Sequence, residues 1–185
     1  MSLIQASQRS PEQRPVLQLG DPGLRRIAQP VGAVADAWVQ RLIDDLLVTL
    51  QANNGVGIAA PQVGMPCRLL VVASRPNLRY PTAPQMEPEV MINPRLVAHG
   101  DRLERGWEGC LSVPGLRAQI PRYREIEVEY SDRQGQIQRR VWTGFVARIF
   151  QHEYDHLEGQ VLLDRLETPA DLISEAEYFA RILEG

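Results

Sequence analysis

The sequence contains no lysine: all 20 of its basic residues are arginine. That absence excludes Schiff-base and lysine-nucleophile chemistry, and it removes the phosphate-binding lysine of a nucleotide loop. Cysteine is scarce. Cys67 and Cys110 are the two present, too few for a disulfide framework, and their number fits a reducing compartment. No apolar run reaches the roughly 18 residues needed to span a bilayer. The first residues, MSLIQASQRSPEQRP, lack the apolar stretch of a secretory signal, and Glu12 and the short length argue against a transit peptide. A net charge of −3 gives no electrostatic reason to expect nucleic acid or a membrane as partner. Internal repeats and low-complexity blocks are absent too. What remains is a chain of 185 residues, long enough for one domain with a proper core and short for two. Residues 1–15 read as a flexible N-terminal arm and residues 16–185 as the domain.

Hydrophobic spacing predicts a helix from Asp36 to about Gln51, with Trp38, Leu42, Leu46 and Leu50 in register and Asp36 as N-cap. GVGIAAPQVG (55 to 64) reads as a glycine-rich loop and CRLLVVAS (67 to 74) as a buried strand. The stretch from Arg75 to Glu89 holds four prolines and reads as a loop. VMINPRLVAHG reads as a strand pair broken at Asn93-Pro94, and EGCLSVPG as an irregular segment. Alternation on both sides of Asp132-Gly135 predicts a hairpin with Ile126, Val128 and Tyr130 on one face. TGFVARIFQHEYDHLEG predicts a helix capped by Thr143 and ended by Gly159. A last helix is expected from about Pro169 to Leu183. Strands first and a histidine-bearing helix late point to an α+β fold rather than alternating βαβ units.

Three segments carry candidate chemistry. In QHEYDH, His152 and His156 stand at i and i+4, one above the other on a helix face. Neutral imidazoles so placed can share one zinc- or iron-sized ion, and Glu153 can act as general base on a water at that ion. The sequence has three histidines in all, and two fall here. A catalytic site of this kind needs a third protein ligand. Residue 162, where one protease pattern puts a histidine, is leucine. Cys110, Cys67, His99, Glu175 and Glu177 remain as donors, with Cys110 the best because it sits beside glycine on a segment of no regular structure. GVGIAAPQVG lacks GxGxxG and so makes a poor nucleotide loop. Its glycines let an extended backbone lie close, and the Gln62 side-chain amide can stabilise an oxyanion.

GVGIAAPQ, EGCLS and QHEYDH, in this order, resemble the three signature motifs of the peptide deformylases. The resemblance covers roughly Val16 to Leu166, and the SVPGLRAQIPR stretch looks like bacterial and organellar members. It implies a single α+β domain with antiparallel β-sheets around a central helix carrying HExxH. It implies one divalent metal ion held by Cys110, His152 and His156, with ferrous iron native and zinc or nickel as alternatives. Glu153 would be general base and acid, and Gln62 and the Leu111 N–H would hold the oxyanion. The implied reaction removes the formyl group from N-formylmethionyl nascent peptides and releases formate. Val56, Phe145 and Ile149 are candidates for the methionine pocket, Gly57 and Gly109 for the flanks of the peptide backbone, and Arg117 for the cleft mouth. Glu108 and Asp155 would anchor ligands, with Arg122 as ion partner. Arg148 stands where many family members carry an aliphatic residue, which bears on pocket depth and polarity. The family role implies a ribosome contact, while the charge and the lack of a spanning run point to no sequence-specific nucleic acid and no membrane; the short N-terminus fits a bacterial cytoplasm better than an organelle.

Two other readings compete. An HExxH metalloprotease using Glu175 or Glu177 predicts that Cys110 is dispensable. A binding protein that has lost the reaction predicts damage to Gln62, Glu153 or a ligand, and all are intact.

Overall fold

The computed structural model describes residues 9–183. Residues 1–8 of the expected arm lie outside the described residues. Of the rest of the arm, the Glu12 N–H donates to Asp45 Oδ1 at 2.8 Å and the Arg14 N–H to Thr49 Oγ1 at 2.9 Å. In chain order the elements are α1 (Ala37–Ala52), β1 (Gly57–Ala59), β2 (Leu69–Val72), β3 (Glu89–His99), β4 (Leu103–Cys110), β5 (Val113–Tyr123), β6 (Glu125–Ser131), β7 (Ile137–Thr143), α2 (Gly144–Leu157), β8 (Leu172–Ser174) and α3 (Glu175–Leu183). Every pair among these strands is antiparallel. One sheet runs β1-β2-β3-β6-β7 and the other β4-β5-β8. The fold is a small single-domain α+β arrangement with antiparallel sheets and three helices.

The β2 strand is apolar throughout because both of its faces are covered. Leu69 and Val71 belong to a cluster with Leu42, Ile43, Leu46 and Leu50 of α1. Leu70 and Val72 join Ala147, Phe150 and Leu157 of α2, together with Ile126, Val128 and Tyr130 of β6. Those three β6 residues share the buried face that alternation predicts. The second sheet has its own small core of Val113, Ala118, Ile120 and Leu162. On its other side α2 is tied to β5: Gln151 Nε2 donates to Tyr123 O at 2.8 Å, and Arg148 Nη1 to Ile120 O at 2.7 Å. Among the described residues no helix is long and apolar enough to cross a membrane.

Several local expectations need correction. Asp36 and Thr143 stand at the starts of α1 and α2 but make no side-chain cap hydrogen bond. VMINPRLVAHG is one continuous strand, β3, rather than a pair. Asn93 takes φ +51°, and its side chain exchanges two 2.8 Å hydrogen bonds with the Val31 backbone. The register shifts there, which is where a strand accommodates a proline lacking an N–H. EGCLSVPG is no irregular segment: Cys110 ends β4 and Val113 begins β5 across a two-residue turn. The glycine-rich loop contains β1, followed by a 3-10 turn, Ala60–Val63. The last helix is broken into a 3-10 turn, Pro169–Asp171, the strand β8, and α3. Thr168 does cap its turn, accepting from Ala170 N–H at 3.4 Å.

Candidate metal centre

On α2 the i and i+4 spacing sets the His152 and His156 rings 5.2 Å apart. Cys110, at the end of β4, brings its Sγ to 3.3 Å from His156 Nε2. One donor atom from each of the three residues lies within 4.8 Å of the others. A tetrahedral ion with bonds of about 2.0–2.3 Å separates neighbouring donors by roughly 3.3–3.6 Å. The sulfur–nitrogen pair already has that spacing, so the donor set fits one cation. It is the one such cluster of His, Cys, Asp and Glu among the described residues.

Electrostatics point the same way. Burial works against charge on His152, but the Cys110 sulfur and the Glu108 carboxylate outweigh it and push its pKa well above the usual histidine value. The site attracts a positive charge. Burial first, then the charges of His152 and Arg122, hold His156 well below that value, so it stays a neutral donor.

Behind the ligands lies a buried ionic network. Glu108 Oε2 accepts from His152 Nδ1 at 2.8 Å, which leaves Nε2 for a metal. Glu108 Oε1 accepts from Arg122 Nε and from Arg148 Nη1, each at 2.9 Å. Arg122 Nη1 continues to Asp155 Oδ2 at 2.6 Å, and at the surface the exposed Arg165 closes the chain on Asp155 Oδ1 at 2.6 Å. Burial alone would raise the Glu108 pKa, but Arg122 and the hydrogen bond from His152 hold it far below the usual carboxylate range. Arg148 reaches this network because Gly106 has no side chain: a Cβ there would sit 2.8 Å from the guanidinium carbon. Gly106→Ala is therefore expected to destabilise the fold by about 1–3 kcal/mol, read as a lower urea midpoint. An unchanged midpoint would mean that the guanidinium moves freely.

Above the cluster opens a cleft. Glu153 lines it, 4 % exposed, and its Oε2 has no hydrogen-bond partner among the described residues. Burial chiefly, helped by Glu108 and opposed by His152, pushes its carboxyl up to about 7. Gly57 allows β1 to cross at this point, since a Cβ would lie 2.5 Å from Glu153 Oε1 and 2.7 Å from Ile149 Cγ2. Gln62 is buried. Its Oε1 accepts from the Ala59 N–H at 2.9 Å, which turns Nε2 toward Ser112 Oγ at 3.2 Å and Cys110 Sγ at 3.6 Å. Leu111, in the β4–β5 turn, lines the same cleft.

The architecture and the site together match one family. The model of the polypeptide deformylases matches residues 13–171. The chain belongs to that family. Peptide deformylase 2 of Nostoc sp. is 56 % identical over 169 residues, 91 % of this chain and 94 % of the relative. Among solved structures, a class I type b peptide deformylase from Acinetobacter baumannii bound to Met-Ala-Ser superposes with a TM-score of 0.82. It is 44 % identical, over 83 % of this chain and 98 % of that one. A peptide deformylase from Synechococcus elongatus, in complex with actinonin, gives a TM-score of 0.76 at 34 % identity, over 92 % of this chain and 89 % of that one. The family is one of metal-dependent hydrolases, and its reaction is removal of the N-formyl group from nascent polypeptides.

The residues singled out in the sequence for substrate lie together: Val56, Gly57, Gly109, Phe145, Ile149 and Arg117 all line the cleft. The other donors lie elsewhere. Cys67 is buried, and burial raises its thiol to about 11. His99 stacks on Tyr123 with ring centroids 3.6 Å apart. Glu175 pairs with Arg117 at 2.7 Å and Glu177 with Arg181 at 2.9 Å. Arg117 is more deeply set than a residue at an open mouth, being 1 % exposed. Tyr80 and Arg79, from the proline-rich loop, line the cleft and were not anticipated. The one available signal was an aromatic residue placed amid the loop's prolines.

Proposed function

We propose that this chain deformylates N-formylmethionyl peptides through the residues gathered in the cleft. The supporting observation is a cluster of three metal-type donors, two of which, Cys110 and His152, line the same cleft as an unpartnered buried carboxylate. In this reading Cys110, His152 and His156 hold one divalent ion, with ferrous iron native and zinc or nickel as substitutes. Such an ion supplies Lewis acidity, polarising the formyl carbonyl and lowering the pKa of water. Glu153 takes a proton from the attacking water and returns it to the leaving amine. The Gln62 amide and the Leu111 N–H donate to the oxygen that gains charge. Glu108 holds His152 in orientation, and Asp155, through Arg122, holds Glu108. Val56, Phe145 and Ile149 receive the methionine side chain. The backbone at Gly57 and Gly109 flanks the peptide, which adds beside it as a strand.

In the same reading α2 is the central helix around which the antiparallel sheets are arranged. Residues 16–185 form the working domain, and residues 1–15 form an arm. The protein acts in a bacterial cytoplasm on chains emerging from the ribosome. It uses neither a membrane nor sequence-specific nucleic acid.

The test is formate release from formyl-Met-Ala-Ser by anaerobically purified, ferrous-loaded protein, run beside acetyl-Met-Ala-Ser. Formate from the first and no acetate from the second is the expected result. Metal-loaded protein that releases no formate would remove this reading.

A further inference from the structure

The elements β8 and α3 lie beyond residue 171, where the family match ends, yet they contact Arg117 and Arg79, two residues that line the cleft. β8 pairs with β5 and sets Ile173 opposite Arg117. That register brings α3 onto the Arg117 guanidinium. Arg117 Nη2 donates to Glu175 Oε1 at 2.7 Å. The guanidinium packs on the rings of Tyr80 and Tyr178, 5.4 and 5.0 Å from their centroids. Gly109 passes so close that a Cβ there would lie 2.5 Å from Nη1. With both Nη atoms engaged and only Nε unpartnered among the described residues, this arginine is a strut more than a ligand for substrate. What it supports is Tyr80. The α3 helix also pins the neighbouring residue, since the Tyr178 hydroxyl donates to Arg79 O at 3.0 Å.

The Tyr80 hydroxyl oxygen accepts from Arg117 Nη1 at 2.9 Å and from the Gly109 N–H at 3.1 Å. Two donors occupy its acceptor capacity, so the phenol has only its proton left to offer. Among the described residues that proton has no acceptor. The ring packs on Phe145, centroids 4.8 Å apart, and both residues line the cleft. We propose that Tyr80 is a substrate-binding residue whose O–H, aimed by Arg117 and Gly109, donates to a backbone carbonyl of the bound peptide. Arg117, Glu175 and Tyr178 are its positioning residues. The proposal rests on the deformylase reading of the cleft. A peptide offers such a carbonyl at every residue, and the formyl oxygen is already assigned to Gln62 and Leu111. The C-terminal segment thereby acts on substrate affinity from outside the matched region.

Tyr80→Phe keeps the ring against Phe145 and deletes the hydroxyl. With nickel-loaded protein, KM for formyl-Met-Ala-Ser and Kd for the product Met-Ala-Ser are both expected to rise about five- to tenfold, the worth of one hydrogen bond. The kcat should stay within about twofold on the same argument. Glu175→Ala should move KM in the same direction, and Glu175→Asp should recover most of the loss. A fall in kcat and thermal midpoint with KM and Kd unmoved would make Tyr80 a packing residue and overturn the proposal. So would wild-type values of KM and Kd in Tyr80→Phe. If wild type itself releases no formate, the deformylase reading fails and takes this proposal with it. Release by wild type with an indifferent Tyr80→Phe sinks the proposal alone.

Discussion

Glu153→Gln is expected to cut formate release by about 10²–10⁴-fold, the range for loss of a general acid–base group, while the protein still binds one divalent ion per chain. Two carboxylates line the cleft, Glu108 and Glu153. Glu108 is engaged by Arg122, Arg148 and His152 and is held ionised far below neutrality. It has neither a free lone pair in the right place nor a pKa that exchanges protons near pH 7. Glu153 has an unpartnered oxygen, and burial lifts it to about 7, close to where a group that both takes and gives a proton works best. The same shift makes a second, independent reading. Glu153 rises from 4.5 unfolded to about 7 folded, so its ionisation costs stability progressively as pH climbs between those values. In metal-free protein at pH 8, Glu153→Gln should therefore be the more stable form, by on the order of 3 kcal/mol. The difference should vanish below pH 4. Chemical denaturation at the two pH values checks it; equal stability at both would mean that the carboxyl is not held neutral.

Glu108→Ala is expected to be the most damaging single change in the network. It leaves Arg122 and Arg148, both buried, without their shared carboxylate, and it frees His152 Nδ1. Removing one partner of a buried ion pair costs about 3–5 kcal/mol. Loss of the group that orients a metal-binding histidine costs roughly 10–100-fold in metal affinity. Both losses should appear together, in urea unfolding and in competition with a chelator. Glu108→Gln keeps an acceptor for each arginine and should recover part of the stability but little of the affinity. A Glu108→Ala protein that unfolds at the wild-type midpoint would contradict the structural weight given to these charges.

How legible the site was depended on the distance over which each feature is fixed. HEYDH needed only helical periodicity, so its three residues could be read directly. Cys110 depended on β4 docking beside α2, 42 residues later in sequence than the cysteine at His152. The sequence could therefore list donors but not choose among them without the family resemblance. The two tight glycine contacts, Gly106 on Arg148 and Gly109 on Arg117, are pure tertiary packing. No local pattern announces them. Arg148 shows the consequence: next to an apolar pocket it reads as an anomaly, whereas in place it is a third donor to Glu108 and to the carbonyls of Glu104 and Ile120. The fold was legible where burial is one-sided, as in β6. It was missed in β8, three residues whose strand character comes from β5 rather than from their own sequence. At Pro94 the usual breaker did not break: the register shifts there, and the Asn93 side chain ties the strand to the Val31 backbone.

The central claim is that β4 and α2 together hold one cation, with the Cys110 thiolate as third ligand. Cobalt(II) titration of wild type and Cys110→Ala, followed by absorption and by metal analysis, tests it most directly. Wild type should bind one cobalt per chain with a thiolate-to-metal charge-transfer band, and Cys110→Ala should lose the band and bind about 10–100-fold more weakly or worse. The same band and affinity in both proteins would place the ion elsewhere and contradict the account.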